Sequence, residues 1–309
     1  MPFRVAIGPS SFAEVDRSPL DMLSKAGIEV RHNPFNRRLN EDEIINLLQD
    51  ADGLIAGLEP LNQKVLRSDR KLKAIARVGI GTENIDLETS VKLGIKVSNT
   101  PDGPTEAVAE MCLTSLLAII RRLIPFNMDM HKGKWNKAIG FGVAGTNILL
   151  VGYGRIGRRF ADLLRPLGAK ILVCDPNISQ DDIKNGEILL SLDEGLKEAE
   201  VISLHASGKN IILDRSAFNK MRKGVILLNS ARGELLDESA LIEALEKNIV
   251  SSAWMDSFSN EPYSGPLMEF EQVVLTPHIS TYSIQCRKNM ETAAVKNLLR
   301  DLGIEILSE

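Results

Sequence analysis

Residues 146–175 read TNILLVGYGRIGRRFADLLRPLGAKILVCD: an apolar run, a glycine cluster, a helical pattern, and a second apolar run that ends in an acid. The cluster Gly152-Tyr153-Gly154-Arg155-Ile156-Gly157 has the residue types that a diphosphate needs. Gly152 allows a tight turn, Gly154 has no side chain to hold a pyrophosphate off, and Gly157 lets the following helix lie close to the sheet. The start of that helix, at Arg155 and Ile156, turns backbone N–H groups and a partial positive charge towards phosphate oxygens. Asp175 follows Gly157 by eighteen residues, at the end of the next strand. There its carboxylate can accept hydrogen bonds from both ribose hydroxyls and would repel a 2′-phosphate. The pattern therefore points to a dinucleotide, with NAD favoured over NADP. Three close glycines are often plain turn residues. The strand before, the helix after and the acid at this distance separate them here from an ordinary strand-turn-helix.

Three further polar residues stand just after strands. Arg232 lies in Asn229-Ser230-Ala231-Arg232-Gly233, Glu261 in the segment Asp256-Ser257-Phe258-Ser259-Asn260-Glu261-Pro262, and His278 in Thr276-Pro277-His278-Ile279-Ser280. Taken singly, each reads as a turn or a solvated loop. Taken together, in order and on the carboxyl edge of one sheet, they stand where an open α/β fold binds its ligand. Histidine is also the side chain best suited to give or take a proton near neutral pH. His205 ends a strand close to the glycine cluster and is placed near the cofactor, whereas His32 and His131 read as surface or turn residues.

These residues need a sheet to carry them. The first hundred residues alternate apolar runs (4–8, 28–32, 53–56, 72–77 and 96–98) with helical patterns such as 19–26 and 41–50. Asn40 and Glu43 can form a capping box at the start of the second helix. A second alternating series starts at Thr146 and runs through 188–190, 201–205, 225–229 and 251–255. The long helical pattern from Thr105 to His131 would cross between two domains, and that of Ser283–Leu302 would return the chain to the first. The expected fold class is α/β in two domains, each a parallel sheet flanked by helices. A Rossmann-type NAD domain, residues 101–283, is inserted in a flavodoxin-like substrate domain, residues 1–100 and 284–309.

Composition narrows the partners. The chain has 309 residues, enough for two cores, with 44% hydrophobic and 25% charged residues and a net charge of −4. This balance argues against nucleic acid or an anionic membrane as a partner. Cys112, Cys174 and Cys286 are far apart, show no metal spacing and suit a reducing compartment. No apolar stretch has the roughly 20 residues needed to span a bilayer, and MPFRVAIG shows no secretory signal. The expectation is a cytoplasmic protein without a metal.

In their order and spacing these segments resemble the D-2-hydroxyacid dehydrogenase family, and the likeness extends over nearly the whole chain. It includes Arg77-Val78-Gly79-Ile80-Gly81-Thr82-Glu83-Asn84-Ile85-Asp86, similar to the family's substrate loop, and Asn99-Thr100-Pro101 at the first crossing. Within the family the chain is most similar to phosphoglycerate dehydrogenases that lack a regulatory C-terminal domain. The resemblance implies that His278 handles the hydroxyl proton while hydride passes between substrate and nicotinamide. Glu261 would fix the imidazole tautomer and stabilise the imidazolium, and Arg232 would hold the substrate carboxylate and polarise its carbonyl. Arg77 and the backbone N–H groups of Val78 and Gly79 would grip the substrate from the other domain. Asp256 would meet the nicotinamide carboxamide or its ribose, and Ala231 and His205 would also bind the cofactor. The helix exit at His131-Lys132-Gly133-Lys134-Trp135 resembles a region that packs across a two-fold axis, which implies a homodimer.

The chain also departs from the family pattern. The segment Ala206–Asn210 is short, as is the stretch between Glu261 and His278. Phosphoglycerate-specific members tend to carry an arginine after the third strand, where this chain has Ala56-Gly57-Leu58-Glu59. Glyoxylate, hydroxypyruvate and 3-phosphoglycerate all stay open as substrates. The alternative function is a dinucleotide-sensing binding protein, like the family's corepressor relatives. A formate dehydrogenase would need a glutamine beside the histidine in place of Glu261.

Overall fold

The computed structural model describes residues 2–183 and 185–305. Met1, Lys184 and residues 306–309, which include both outer ends of the expected substrate domain, lie outside the described residues. The chain divides into two compact units: residues up to Pro104 joined by those from Tyr282 onward, and Thr105–Thr281.

The first unit runs β1 (Arg4–Ile7), α1 (Ser18–Lys25), β2 (Glu29–His32), α2 (Glu41–Leu48), β3 (Gly53–Ala56), α3 (Gln63–Leu66), β4 (Ala74–Arg77), α4 (Leu87–Lys92) and β5 (Lys96–Ser98). Its five parallel strands stand in the order β2-β1-β3-β4-β5, the flavodoxin-like doubly wound order. The inner strands β1, β3 and β4 are near-continuous apolar runs, as a sheet covered on both faces requires. At the start of α2 the Asn40 side chain accepts the Glu43 N–H at 3.0 Å, and Glu43 accepts the Asn40 N–H at 2.9 Å. This completes the capping box.

The second unit begins with α5 (Pro104–Ile120) and α6 (Leu123–His131). It continues β6 (Asn147–Val151), α7 (Arg155–Leu164), β7 (Lys170–Cys174), β8 (Ile188–Leu189), α8 (Leu192–Glu198), β9 (Val201–Leu204), α9 (Arg215–Lys220), β10 (Val225–Asn229), α10 (Glu238–Glu246), β11 (Val250–Met255) and β12 (Val273–Leu275). The chain then returns to the first unit as α11 (Ile284–Leu302), which lies on β3, β4 and β5 and beside α1. The seven strands, all parallel, stand in the order β12-β11-β10-β9-β6-β7-β8. Alternate residues of each strand feed opposite faces. Leu149, Ile202 and Leu227 enter one core, and Ile148, Leu150, Val201, Leu228 and Trp254 enter the other. Each such fully buried side chain contributes about 1.5–3 kcal/mol.

One helix expected from Thr105 to His131 is two. Arg122 takes a left-handed φ of 53° between α5 and α6. The carbonyl of Ile120, which a continuing helix would use internally, accepts the Phe141 N–H instead at 3.2 Å. Gly140 lies so close to that carbonyl that no side chain would fit. The buried stripe of α5 also ends at Ile120, and α6 buries no residue. Among the described residues no helix is long and apolar enough to cross a membrane.

Candidate active site

The order of the seven strands reverses between β6 and β9, and the glycine turn sits at the carboxyl end of that junction. Gly152 has a φ of 96°, and a Cβ there would stand 2.6–2.8 Å from the backbone of His205 and Ala206. Gly157 has no room for a side chain either, because the Gly152 carbonyl fills the space. Both glycines are thus required by internal packing where α7 and β9 crowd the turn. Gly154 differs: a Cβ would meet nothing within 4 Å, and its φ of −75° suits any residue. Its place at the mouth of α7, open to an incoming group, fits the close approach of a pyrophosphate. Arg155 is exposed in the first turn of α7, while the half-buried Ile156 packs against the core. Asp175 accepts the Tyr153 N–H at 2.7 Å and the Asn177 N–H at 2.9 Å, which holds its carboxylate beside the turn. Fingerprint, helix terminus and acid together fit a dinucleotide.

His205 closes β9. Its Nε2 lies 2.9 Å from the Ser203 hydroxyl, and its ring sits 5.5 Å from that of Phe160. Burial pushes its pKa down to about 4, so the imidazole is neutral under ordinary conditions.

Arg232, Glu261 and His278 stand on the loops that follow β10, β11 and β12. The wholly buried Asn229 shapes the first of these loops. Its side chain accepts the Ala231 N–H at 3.0 Å and donates to the Arg232 carbonyl at 2.9 Å. The Ala231 carbonyl accepts from the Arg232 guanidinium at 2.7 Å and from the Ser257 hydroxyl at 3.3 Å, so both polar backbone groups of Ala231 serve the loop itself. Gly233 packs so tightly on Phe258 and Ser259 that a side chain would strike their backbone. The arginine loop and the glutamate loop therefore nest against each other. The carboxylate of Glu261 receives the Phe258 N–H at 3.1 Å and lies 2.9 and 3.0 Å from Nδ1 of His278.

Sequence reading missed how the histidine is held. His278 adopts a left-handed φ of 55°, rare for a residue with a side chain. The holder is Asp256, wholly buried, whose carboxylate takes hydrogen bonds from the Thr276 hydroxyl, the Ile279 N–H, and the N–H and hydroxyl of Ser280 at 2.5–2.9 Å. The Trp254 indole donates to the Thr276 hydroxyl at 2.9 Å and extends the network. Four donors fill the acceptor sites of one carboxylate. Asp256 is thus an anchor of the histidine loop. The only signal in the sequence was an Asp directly after a strand, which does not say where its side chain turns.

The segment after β4 in the first unit is tied down by its own hydrogen bonds. The Val78 N–H donates to the Ala56 carbonyl at 2.9 Å, because pairing of β4 with β3 runs one residue past the strand. The Gly79 N–H donates to the Thr100 hydroxyl at 2.8 Å. Both N–H groups, from which a carboxylate grip is expected, make these bonds within the first unit. Arg77 is nearly buried, and its guanidinium donates to the Val78 carbonyl. Among the described residues no group of His, Cys, Asp and Glu is gathered as a metal would need.

Residues 113–280 match the family model described as D-isomer specific 2-hydroxyacid dehydrogenase, NAD binding domain. The chain belongs to this family. It is an NAD-dependent oxidoreductase of the 2-hydroxyacid class. It is 31% identical to a hydroxypyruvate reductase of Thermotoga maritima, over 92% of this chain and 94% of that protein. It is also 31% identical to a D-3-phosphoglycerate dehydrogenase of a Synechocystis species, over 93% of this chain, but it spans only 52% of that protein. A crystal structure of the TT0316 protein from Thermus thermophilus superposes with a TM-score of 0.88 at 32% identity, with 99% of each chain covered.

The glycine geometry yields a paired test. Gly154→Ala should melt like the parent yet bind NADH about tenfold more weakly, a loss of about 1.4 kcal/mol. Gly152→Ala should lower stability by about 2 kcal/mol or more, since it meets backbone and a positive φ together. Thermal melts and NADH fluorescence titrations read the two effects. If Gly154→Ala kept the parent's affinity, the pyrophosphate could not lie against this turn.

Proposed function

We propose that this enzyme reduces a small 2-oxoacid without a phosphate, such as hydroxypyruvate or glyoxylate, to the corresponding 2-hydroxyacid, of D configuration where C2 becomes a stereocentre. His278, Glu261 and Arg232 are its catalytic residues in this reading. The observation that carries it is the contact of both Glu261 carboxylate oxygens with Nδ1 of His278 at 2.9 and 3.0 Å. When Nδ1–H donates to the carboxylate, a neutral ring keeps its lone pair on Nε2 and a protonated ring carries a proton there. Nε2 can then protonate the carbonyl oxygen of a 2-oxoacid as it becomes a hydroxyl, or take that proton in the reverse direction. Glu261 offsets the positive charge of the imidazolium. Arg232, a planar fork, suits the substrate carboxylate and its neighbouring oxygen. The nicotinamide, when bound, supplies the hydride. Gly154, the start of α7 and Asp175 would hold the pyrophosphate and ribose.

The choice of substrate tail rests on the first unit. After β3 stands Glu59, only 2% exposed, whose carboxylate accepts the Gly57 N–H at 2.9 Å and fills the space beside Gly8 and Gly57. Burial raises its pKa, although its backbone hydrogen bonds and the charges of Arg77 and Arg38 oppose the rise. The segment Ala56-Gly57-Leu58-Glu59 carries no cation for an anionic tail, which supports a substrate without a phosphate. The exposed Trp135 and Ile139, which follow α6 with its exposed Leu123, Met128 and Met130, support a homodimer. The unpaired Cys112, Cys174 and Cys286 support a cytoplasmic setting.

With NADH, turnover of hydroxypyruvate or glyoxylate should exceed that of 3-phosphohydroxypyruvate, and His278→Ala should reduce kcat by about 100-fold or more. Tight NADH binding with no turnover of any 2-oxoacid would favour the dinucleotide sensor instead. The Asp175 carboxylate should favour NADH over NADPH by about tenfold or more in kcat/KM, or about 1.4 kcal/mol, and equal efficiencies would remove it from the ribose. Sedimentation should show a dimer that Trp135→Ala weakens, whereas a monomeric parent would contradict the assembly.

A further inference from the structure

Between the fingerprint glycines stands a tyrosine whose hydroxyl has no part in the chemistry above. The Tyr153 ring is buried, 4% exposed, and its hydroxyl donates to Glu187 at 3.0 Å. The Glu187 side chain is 1% exposed. Its Oε1 also receives the Arg165 guanidinium at 2.5 Å, and its Oε2 receives the Asn185 N–H at 3.0 Å. The Arg158 guanidinium lies 4.6 Å from the centre of the tyrosine ring, and the backbone N–H of the same tyrosine fixes Asp175 at 2.7 Å. The turn, both ends of α7 and the segment before β8 thus meet on the Tyr153–Glu187 pair. Burial raises the Tyr153 pKa to about 12, with the nearby Glu187 adding to the rise, so the hydroxyl remains a donor. Burial alone would also raise the Glu187 pKa, but its own backbone, Arg165, Tyr153 and Asn185 outweigh it and the group is ionised.

We propose that Tyr153 and Glu187 are positioning residues for the dinucleotide: their hydrogen bond holds the Gly152–Gly154 turn and the Asp175 carboxylate in the geometry that the cofactor meets. The pair touches no reacting atom. Its effect therefore falls on the affinity for the adenosine diphosphate half and not on the chemical step. A preformed turn does not have to be ordered when the ligand arrives, and that saving appears as tighter binding. A buried hydrogen bond to a charged acceptor is strong enough for such a role. The proposal rests on the NAD-binding function of this unit, and it can fail while that function stands.

The test measures binding directly, by calorimetry with NADH and with ADP-ribose, beside steady-state kinetics. Tyr153→Phe should raise both dissociation constants about tenfold, while kcat at saturating NADH and KM for the 2-oxoacid stay at parent values. Glu187→Gln, which keeps an acceptor for the phenol, should restore most of the affinity, and Glu187→Ala should weaken binding at least as much as Tyr153→Phe. If Glu187→Ala does not fold, Tyr153→Phe decides alone, because it removes one oxygen and leaves Glu187 bonded to Arg165 and Asn185. Unchanged dissociation constants for Tyr153→Phe, or a fall in kcat without a change in binding, would overturn the proposal and leave NAD binding intact. A parent protein that binds neither ligand would overturn both.

Discussion

A carboxylate taken fully out of water must be surrounded by donors, and Asp256 meets that demand with the loop that carries His278. The buried charge costs several kcal/mol if left uncompensated. Four donors from Thr276, Ile279 and Ser280 compensate it, and in doing so they fix the chain on both sides of the histidine. The left-handed conformation of His278 is one consequence of a loop held at both ends. The imidazole then has a single partner to find, and Glu261 is within reach because its own loop is wedged under Gly233. Rigidity of this kind suits the acid–base role proposed for His278, since a ring already held need not search for its orientation.

The same economy governs the cofactor edge. Parallel strands end together, so the residues after β6, β7 and β9 crowd one place. Backbone lies where side chains of Gly152 and Gly157 would be, whereas the space beside Gly154 is open. Acids divide the labour: Asp175 is half-exposed and turned to the glycine turn, while Glu187 is buried and serves the protein. The neutral His205 adds bulk beside the turn without adding charge.

Much of this was legible in the residue string. Alternating apolar runs and helical patterns determined a doubly wound α/β chain, because only strands covered on both faces can be apolar throughout. The glycine spacing with its acid, and the order of arginine, glutamate and histidine, located the carboxyl edge of one sheet. Packing decided the rest. The break of the crossing helix at Arg122 depends on Phe141, distant in sequence, taking a carbonyl. The occupation of the Val78 and Gly79 N–H groups depends on Ala56 and Thr100 being neighbours across the sheet. Asp256 reads in sequence like any acid after a strand; only the fold shows that it faces inward to Ser280. Residue types and spacing thus determined which chemistry was on offer. The tertiary structure decided which polar groups were already satisfied by the protein, because hydrogen-bond partners are chosen in space and not along the chain.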